Sequence, residues 1–142
     1  MDLCAGSGAV GIEALSRNAS HVTFVDRSRQ MCALVEANLD LCLVPEDETE
    51  VVQSEAVDFL RTQARRKNKP WDIVFFDPPY ANDYLSVLHA FGKINFNLLT
   101  ESGLLIAEHH HKNQLPDEVG RLIRRRTVKQ GDSALSFYEV SA

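Results

Sequence analysis

The sequence predicts an α/β fold, Rossmann-like and doubly wound, in which a mostly parallel sheet carries helices on both faces. Three observations predict it. Short apolar runs alternate with helix-period segments along the whole chain, the β-α-β pattern that builds parallel sheets and places ligands at the carboxyl ends of strands. Gly6, Gly8 and Gly11 have the G-x-G-x-x-G spacing between the first strand and the first helix. The run Ile73-Val74-Phe75-Phe76 reads as a fully buried strand and ends in Asp77-Pro78-Pro79-Tyr80, an unusual way to leave a sheet.

In order, strands are expected near residues 1–4, 22–25, 50–53, 72–76 and 103–108, and helices near 9–18, 28–42, 55–66 and 83–91. Ile12, Ala14, Leu15 and Ala19 recur at helical spacing after the glycines. In the second helix Met31, Leu34, Val35, Asn38, Leu41 and Cys42 form one face with a single polar interruption, and in the fourth Tyr84, Leu85, Leu88 and Phe91 do so. Residues 121–129 and 134–140, separated by Gln130-Gly131-Asp132-Ser133, read as a closing hairpin. At 142 residues the chain is expected to be one domain, 1–142.

The glycine spacing suits a tight turn, close approach of a ligand to backbone, and close helix–strand packing. Alone it suits a dinucleotide as well as any other adenosine cofactor. Asp2, just upstream, decides between them. A helix N-terminus attracts phosphate, and a carboxylate beside it opposes a pyrophosphate but favours a ligand with a cationic amino group. S-adenosylmethionine has an ammonium, a sulfonium, a ribose and no phosphate. Asp26, about twenty residues past the first glycine, stands where an acid binds ribose hydroxyls.

Asp77-Pro78-Pro79-Tyr80 supplies the second half of the chemistry. Each proline fixes φ and removes a backbone donor, so the chain is stiff and extended there with bare carbonyls. A carboxylate, those carbonyls and an aromatic face together accept the hydrogens of a planar amino group and stack on its ring.

With both motifs in view, the chain resembles the class I S-adenosylmethionine-dependent methyltransferases. The pairing of Asp2-Leu3-Cys4-Ala5-Gly6-Ser7-Gly8 with Asp77-Pro78-Pro79-Tyr80 is most similar to the RsmD-like branch, which methylates a guanine N2 amine in 16S ribosomal RNA. Residues 11–17, 51–56 with Phe59 and Leu60, and 136–139 extend the similarity over essentially the whole chain. The resemblance implies an antiparallel C-terminal strand. It places Asp2, Ala5, Gly6, Ser7 and Gly8 at the methionine end of S-adenosylmethionine, with Asp26 and Arg27 at the ribose and adenine edge. Glu55 and Ala56 fall at the adenine, although many relatives have Asp at the first of these. Asp77, also near the cofactor, takes the target amine and base with Pro78, Pro79 and Tyr80. The partner implied is 16S rRNA or a small-subunit assembly particle. That family usually has a segment before the glycine loop, so a truncated product or a natural short form is expected. The rival readings are a DNA adenine-N6 or protein glutamine methyltransferase, a dinucleotide oxidoreductase, and a non-catalytic remnant of the fold.

Composition sets bounds. Hydrophobic content of 44% and charged content of 25% are ordinary for a globular protein. No apolar run is long enough to span a membrane and no signal-peptide pattern appears, so a cytoplasmic place without membrane attachment is expected. Cys4, Cys32 and Cys42 have no metal-ligand spacing, and Cys4 reads as a small residue in a packed strand end. His109, His110 and His111 point to different sides of an extended chain, so they are expected on the surface and no metal is expected. The net charge of −5 is awkward for an RNA enzyme, but phosphate binding depends on local charge. Arg61, Arg65, Arg66, Lys67 and Lys69 read as a solvated face; Arg121, Arg124, Arg125, Arg126 and Lys129 form a second basic cluster.

Overall fold

The computed structural model describes residues 1–79 and 84–142. Backbone contacts divide the chain into two compact units, Met1–Ala56 and Val57–Ala142. No helix among the described residues is long and apolar enough to cross a membrane.

The first unit holds β1 (Asp2–Leu3), α1 (Ala9–Ser16), β2 (Val22–Asp26), α2 (Arg29–Leu41), a short helical turn (Glu46–Glu48) and β3 (Thr49–Gln53). Its strands are parallel, in the order β3-β2-β1, with Asp2 opposite Phe24 and Asp26 opposite Gln53. Phe24 sits at the centre of a core with Val22, Val35 and Leu39, and the predicted apolar face of α1 (Ile12, Ala14, Leu15) packs on it together with Ala19. The helix α1 stops because Asn18 takes a left-handed conformation (φ 74°) and the Ala19 N–H returns to the Ala14 carbonyl at 3.0 Å. The helix α2 starts at Ser28, whose hydroxyl accepts the Met31 N–H at 3.2 Å.

The expected face of α2 is rotated. Cys32, Val35 and Leu39 are the buried residues, whereas Leu34 is 40% and Leu41 81% exposed. Apolar residues lie on a broader arc than the Phe24 core can cover, so the stripe next to the predicted one wins.

The second unit takes in all of α3 (Ala56–Arg66) but its first residue, then β4 (Trp71–Phe76), α4 (Tyr84–Gly92), β5 (Leu99–His110), β6 (Glu118–Val119), β7 (Leu122–Gln130) and β8 (Ser133–Val140). Strand order is β4-β5-β8-β7-β6. β4 and β5 are parallel, and β8 returns antiparallel between β5 and β7, as the hairpin pattern predicts. The turn is Gly131-Asp132.

Three expectations need correction here. β4 is not fully buried: Val74 and Phe76 are, but Ile73 is 58% exposed, because the pleat sends alternate side chains to opposite faces. β5 runs well past 103–108 at both ends, since Leu99 pairs with Trp71 and His109 and His110 pair with Ala134 and Ser133. Partner strands supply the ladder where local propensity is silent. On α4 the buried residues are Tyr84, Val87, Leu88, Ala90, Phe91 and Gly92, and Leu85 faces out.

Candidate cofactor and amine-binding residues

In the first unit, the parallel register brings the carboxyl ends of β1, β2 and β3 level. The chain turns sharply after β1, with Cys4 (φ 66°), Gly6 (φ 56°) and Gly8 (φ 81°) all left-handed. Cys4 is therefore a half-buried turn residue rather than a packed strand end. A Cβ built on Gly6 would meet nothing within 4 Å, so glycine is there for its backbone and leaves open space above the loop. A Cβ on Gly11 would overlap the Phe24 ring and stand 2.9 Å from the Val22 side chain. The third glycine is there for close helix–strand packing, as its spacing predicts.

Two acids organise this loop. Asp2 is only 3% exposed, and its Oδ2 accepts the Gly11 N–H at 3.0 Å. It satisfies one of the amides that a helix start leaves unpaired, a task for which Gly8 at the cap has no side chain. Asp26 accepts the Gly6 N–H through Oδ2 and the Ser28 N–H through Oδ1, both at 2.9 Å. Its carbonyl accepts the Ser54 N–H at 3.0 Å, which ties the end of β3 to the end of β2. Ser7 and Arg27 are exposed, Ala5 is half-buried, and Glu55 is exposed beside half-buried Ala56. Asp2, Ala5, Gly6, Ser7, Gly8, Asp26, Arg27, Glu55 and Ala56 thus all belong to one strand-end region of the first unit.

Asn38, not among the residues expected at the site, supports the glycine loop. Its amide donates to the Ser7 carbonyl at 2.9 Å, holding the glycine loop from the side of α2. The signal was the lone polar interruption on an otherwise apolar face.

In the second unit, Asp77, Pro78 and Pro79 follow β4. Asp77 and Pro79 are exposed and Pro78 is buried. Tyr80 lies outside the described residues. Although the Asp77 residue is largely open to solvent, partial burial of its carboxyl raises its pKa above the usual carboxylate value, and the nearby Glu108 carboxylate raises it further. Glu108 was not singled out from sequence; its signal is that β5 runs parallel beside β4, with Phe76 opposite Ala107. Tyr84 anchors the start of α4 by donating its hydroxyl to the Glu108 carbonyl at 2.5 Å.

The three histidines separate. His109 is buried, contrary to expectation, because it shares the inward face of β5 with Leu105 and Ala107. Its Nε2 lies 2.8 Å from the Ser136 hydroxyl. His110 is exposed and His111 half-buried.

The family model described as Conserved hypothetical protein 95 matches residues 1–139. The chain belongs to that family, the RsmD family. Among curated relatives, a putative rRNA methyltransferase of Bacillus subtilis is 34% identical over 139 residues, covering 98% of this chain and 74% of its own. Ribosomal RNA small subunit methyltransferase D of Escherichia coli is 31% identical over 148 residues, covering 100% and 68%. A solved putative methyltransferase from Escherichia coli superposes with TM-score 0.84 at 30% identity, over 99% of this chain and 76% of that one. A more distant solved structure, a putative S-adenosylmethionine-dependent methyltransferase from Streptococcus mutans, has TM-score 0.79 at 17% identity over 98% of this chain and 43% of that one. The fold is therefore the class I methyltransferase α/β fold, a mostly parallel mixed sheet with an antiparallel C-terminal strand.

Proposed function

We propose that the chain is an S-adenosylmethionine-dependent N-methyltransferase that modifies the N2 amine of a guanine in 16S ribosomal RNA. The substrate is the free RNA or a small-subunit assembly particle, met in the cytoplasm. The observation that carries the amine chemistry is the Asp77 carboxylate, presented at the end of β4 next to the buried Pro78. The assignment to ribosomal RNA is supported by the names of the Bacillus and Escherichia relatives.

The first unit suits this methyl donor. Gly6 leaves open space over a left-handed turn, and Asp26 already orients its carboxylate through two backbone amides, with lone pairs remaining for ribose hydroxyls. Asp2 places a buried carboxyl group under the loop; in its ionised form this would oppose a dinucleotide's pyrophosphate and favour an ammonium or sulfonium. Ala5, Gly6, Ser7 and Gly8 would line the methionine end, and Arg27, Glu55 and Ala56 the adenosine end. S-adenosylmethionine supplies an electrophilic methyl on a cationic sulfur.

The rest is positioning by this chain. A guanine N2 lone pair is delocalised into the ring and is a weak nucleophile. The Asp77 carboxylate and the Pro78 carbonyl accept the two amine hydrogens, which favours a pyramidal nitrogen with its lone pair free. Pro78 and Pro79 keep those acceptors in place, since each ring fixes φ and Pro79 also restricts Pro78 to extended backbone. The base itself must be unpaired or flipped out to reach this strand end. Bound by the first unit's loop residues, S-adenosylmethionine would give up its methyl and leave as the neutral thioether, and the methylated nitrogen would lose its proton to water, so Asp77 need not be a strong base. Alignment and electrostatics supply the rate.

Asp77→Ala is expected to abolish methyl transfer while calorimetric affinity for S-adenosylmethionine stays close to wild type. Equal loss of both would contradict this division of roles.

A further inference from the structure

We propose that a small recess between β5, β8 and β7 takes a phosphate of the RNA substrate; this deepens the rRNA reading above and rests on it. The cavity measures about 210 Å³ and has His109 at its floor. His111, Asn113, Gln114, Arg124, Thr127 and Lys129 line it. Two imidazoles, two amides, a guanidinium, a hydroxyl and an ammonium thus belong to its lining together with Ala134, and no carboxylate lines it, although Asp117 pairs with Arg124 and the Asp132 carboxylate lies within 4.8 Å of a His111 ring nitrogen. Phosphodiester oxygens only accept hydrogen bonds, so a donor-rich recess of this kind matches them.

Charge bookkeeping separates Lys129 from its neighbours. Residues 112–139 carry six Lys and Arg against four Asp and Glu, in a chain whose net charge is −5. The fold itself engages most of those cations. Arg121 donates to the Ser141 carbonyl at 3.0 Å, Arg124 pairs with Asp117, and Arg125 pairs with Glu139 at 3.1 Å. Arg126 stacks 4.3 Å from the centre of the Phe137 ring. Lys129 has no ion pair among the described residues.

The backbone leaves this place open. β6 pairs with β7 only at Ile123 and Leu122, so β7 from residue 125 to 130 is an outer edge and is exposed throughout. A short partner, a register shift between Arg124 and Arg126, and charged side chains are devices that keep an edge from pairing with another strand. They leave it available to a ligand recognised by charge. The recess also lies at the same end of the unit as Asp77. β4 and β5 run parallel, and Glu108, next to His109, acts on the Asp77 carboxyl. The Tyr84 ring meets Phe76 at 5.6 Å and His109 at 6.2 Å.

The experiment compares the full chain with Lys129→Gln, Lys129→Arg and Lys69→Gln, the last removing the same charge outside the recess. A 16S rRNA transcript is the probe, with affinity measured over a range of salt and methyl transfer measured in parallel. Lys129→Gln should raise KM for RNA roughly threefold to tenfold with kcat, S-adenosylmethionine affinity and Tm unchanged. It should flatten the slope of log affinity against log salt by about 0.7–0.9, the loss of one phosphate contact. Lys129→Arg should keep the wild-type slope. If Lys129→Gln and Lys69→Gln have the same slope, or affinity falls with the slope intact, the phosphate assignment is overturned. If the unaltered chain neither binds nor methylates the transcript, the rRNA reading fails first and takes this inference with it.

Discussion

Asp77 stands near a second carboxylate, and that sets how its chemistry should respond to pH. In the proposed mechanism the ionised form is the one that accepts the amine hydrogens. Partial burial first, and Glu108 second, push its pKa up, so the acid limb of the rate profile should lie above the ordinary carboxylate range. Glu108→Gln removes one of the two causes and should move that limb to lower pH; a limb that stays fixed would show that Glu108 does not act on Asp77. The stability sign runs the other way from an ordinary ion pair. A raised folded-state pKa means that Asp77 adds stability below its unfolded pKa, and that this is lost as pH rises through the raised value. Asp77→Asn should therefore not lower Tm at neutral pH, so any loss of transfer cannot be unfolding. Asp26 makes a different prediction. Its replacement by Asn should weaken S-adenosylmethionine binding by about 1.5–3 kcal/mol, roughly ten- to a hundredfold in Kd, the range for hydrogen bonds to a charged group. Unchanged affinity by calorimetry would make the ribose assignment wrong.

At the scale of elements, the two glycines that frame the loop should fail in different ways. Gly11→Ala forces a methyl into the Phe24 ring and should cost about 1–3 kcal/mol of stability, read as a lower Tm. Gly6→Ala has no neighbour to strike; it should cost roughly 1–2 kcal/mol in backbone strain and reduce cofactor affinity beyond that. Wild-type affinity in Gly6→Ala would mean that no ligand approaches the loop there. The order of strands and helices was legible because its signals are local: the glycine spacing, the apolar face of α1, the Gln130–Ser133 turn between β7 and β8. What stayed hidden depends on partners distant in sequence. The buried stripe of α2 is chosen by where Phe24 lies, and the length of β5 by β4 and β8. His109 is buried because it falls on the inward register of a strand longer than its own residues suggest. Asn38 was visible as an anomaly, but its meaning required the Ser7 carbonyl.

For the molecule as a whole, net charge is a poor guide to its substrate. A chain at −5 still gathers cations along one edge of its second unit, and the fold engages most of them internally before any RNA arrives. The same chain supplies a loop suited to a cationic methyl donor and a strand end suited to a planar amine, and in the function proposed above these serve one reaction. The most direct measurement is to incubate the chain with methyl-labelled S-adenosylmethionine and 16S rRNA, digest the RNA, and identify the labelled nucleoside by mass spectrometry. Label is expected in N2-methylguanosine, and none with Asp77→Ala. Label in N6-methyladenosine, or equal label in the Asp77→Ala sample, would contradict it.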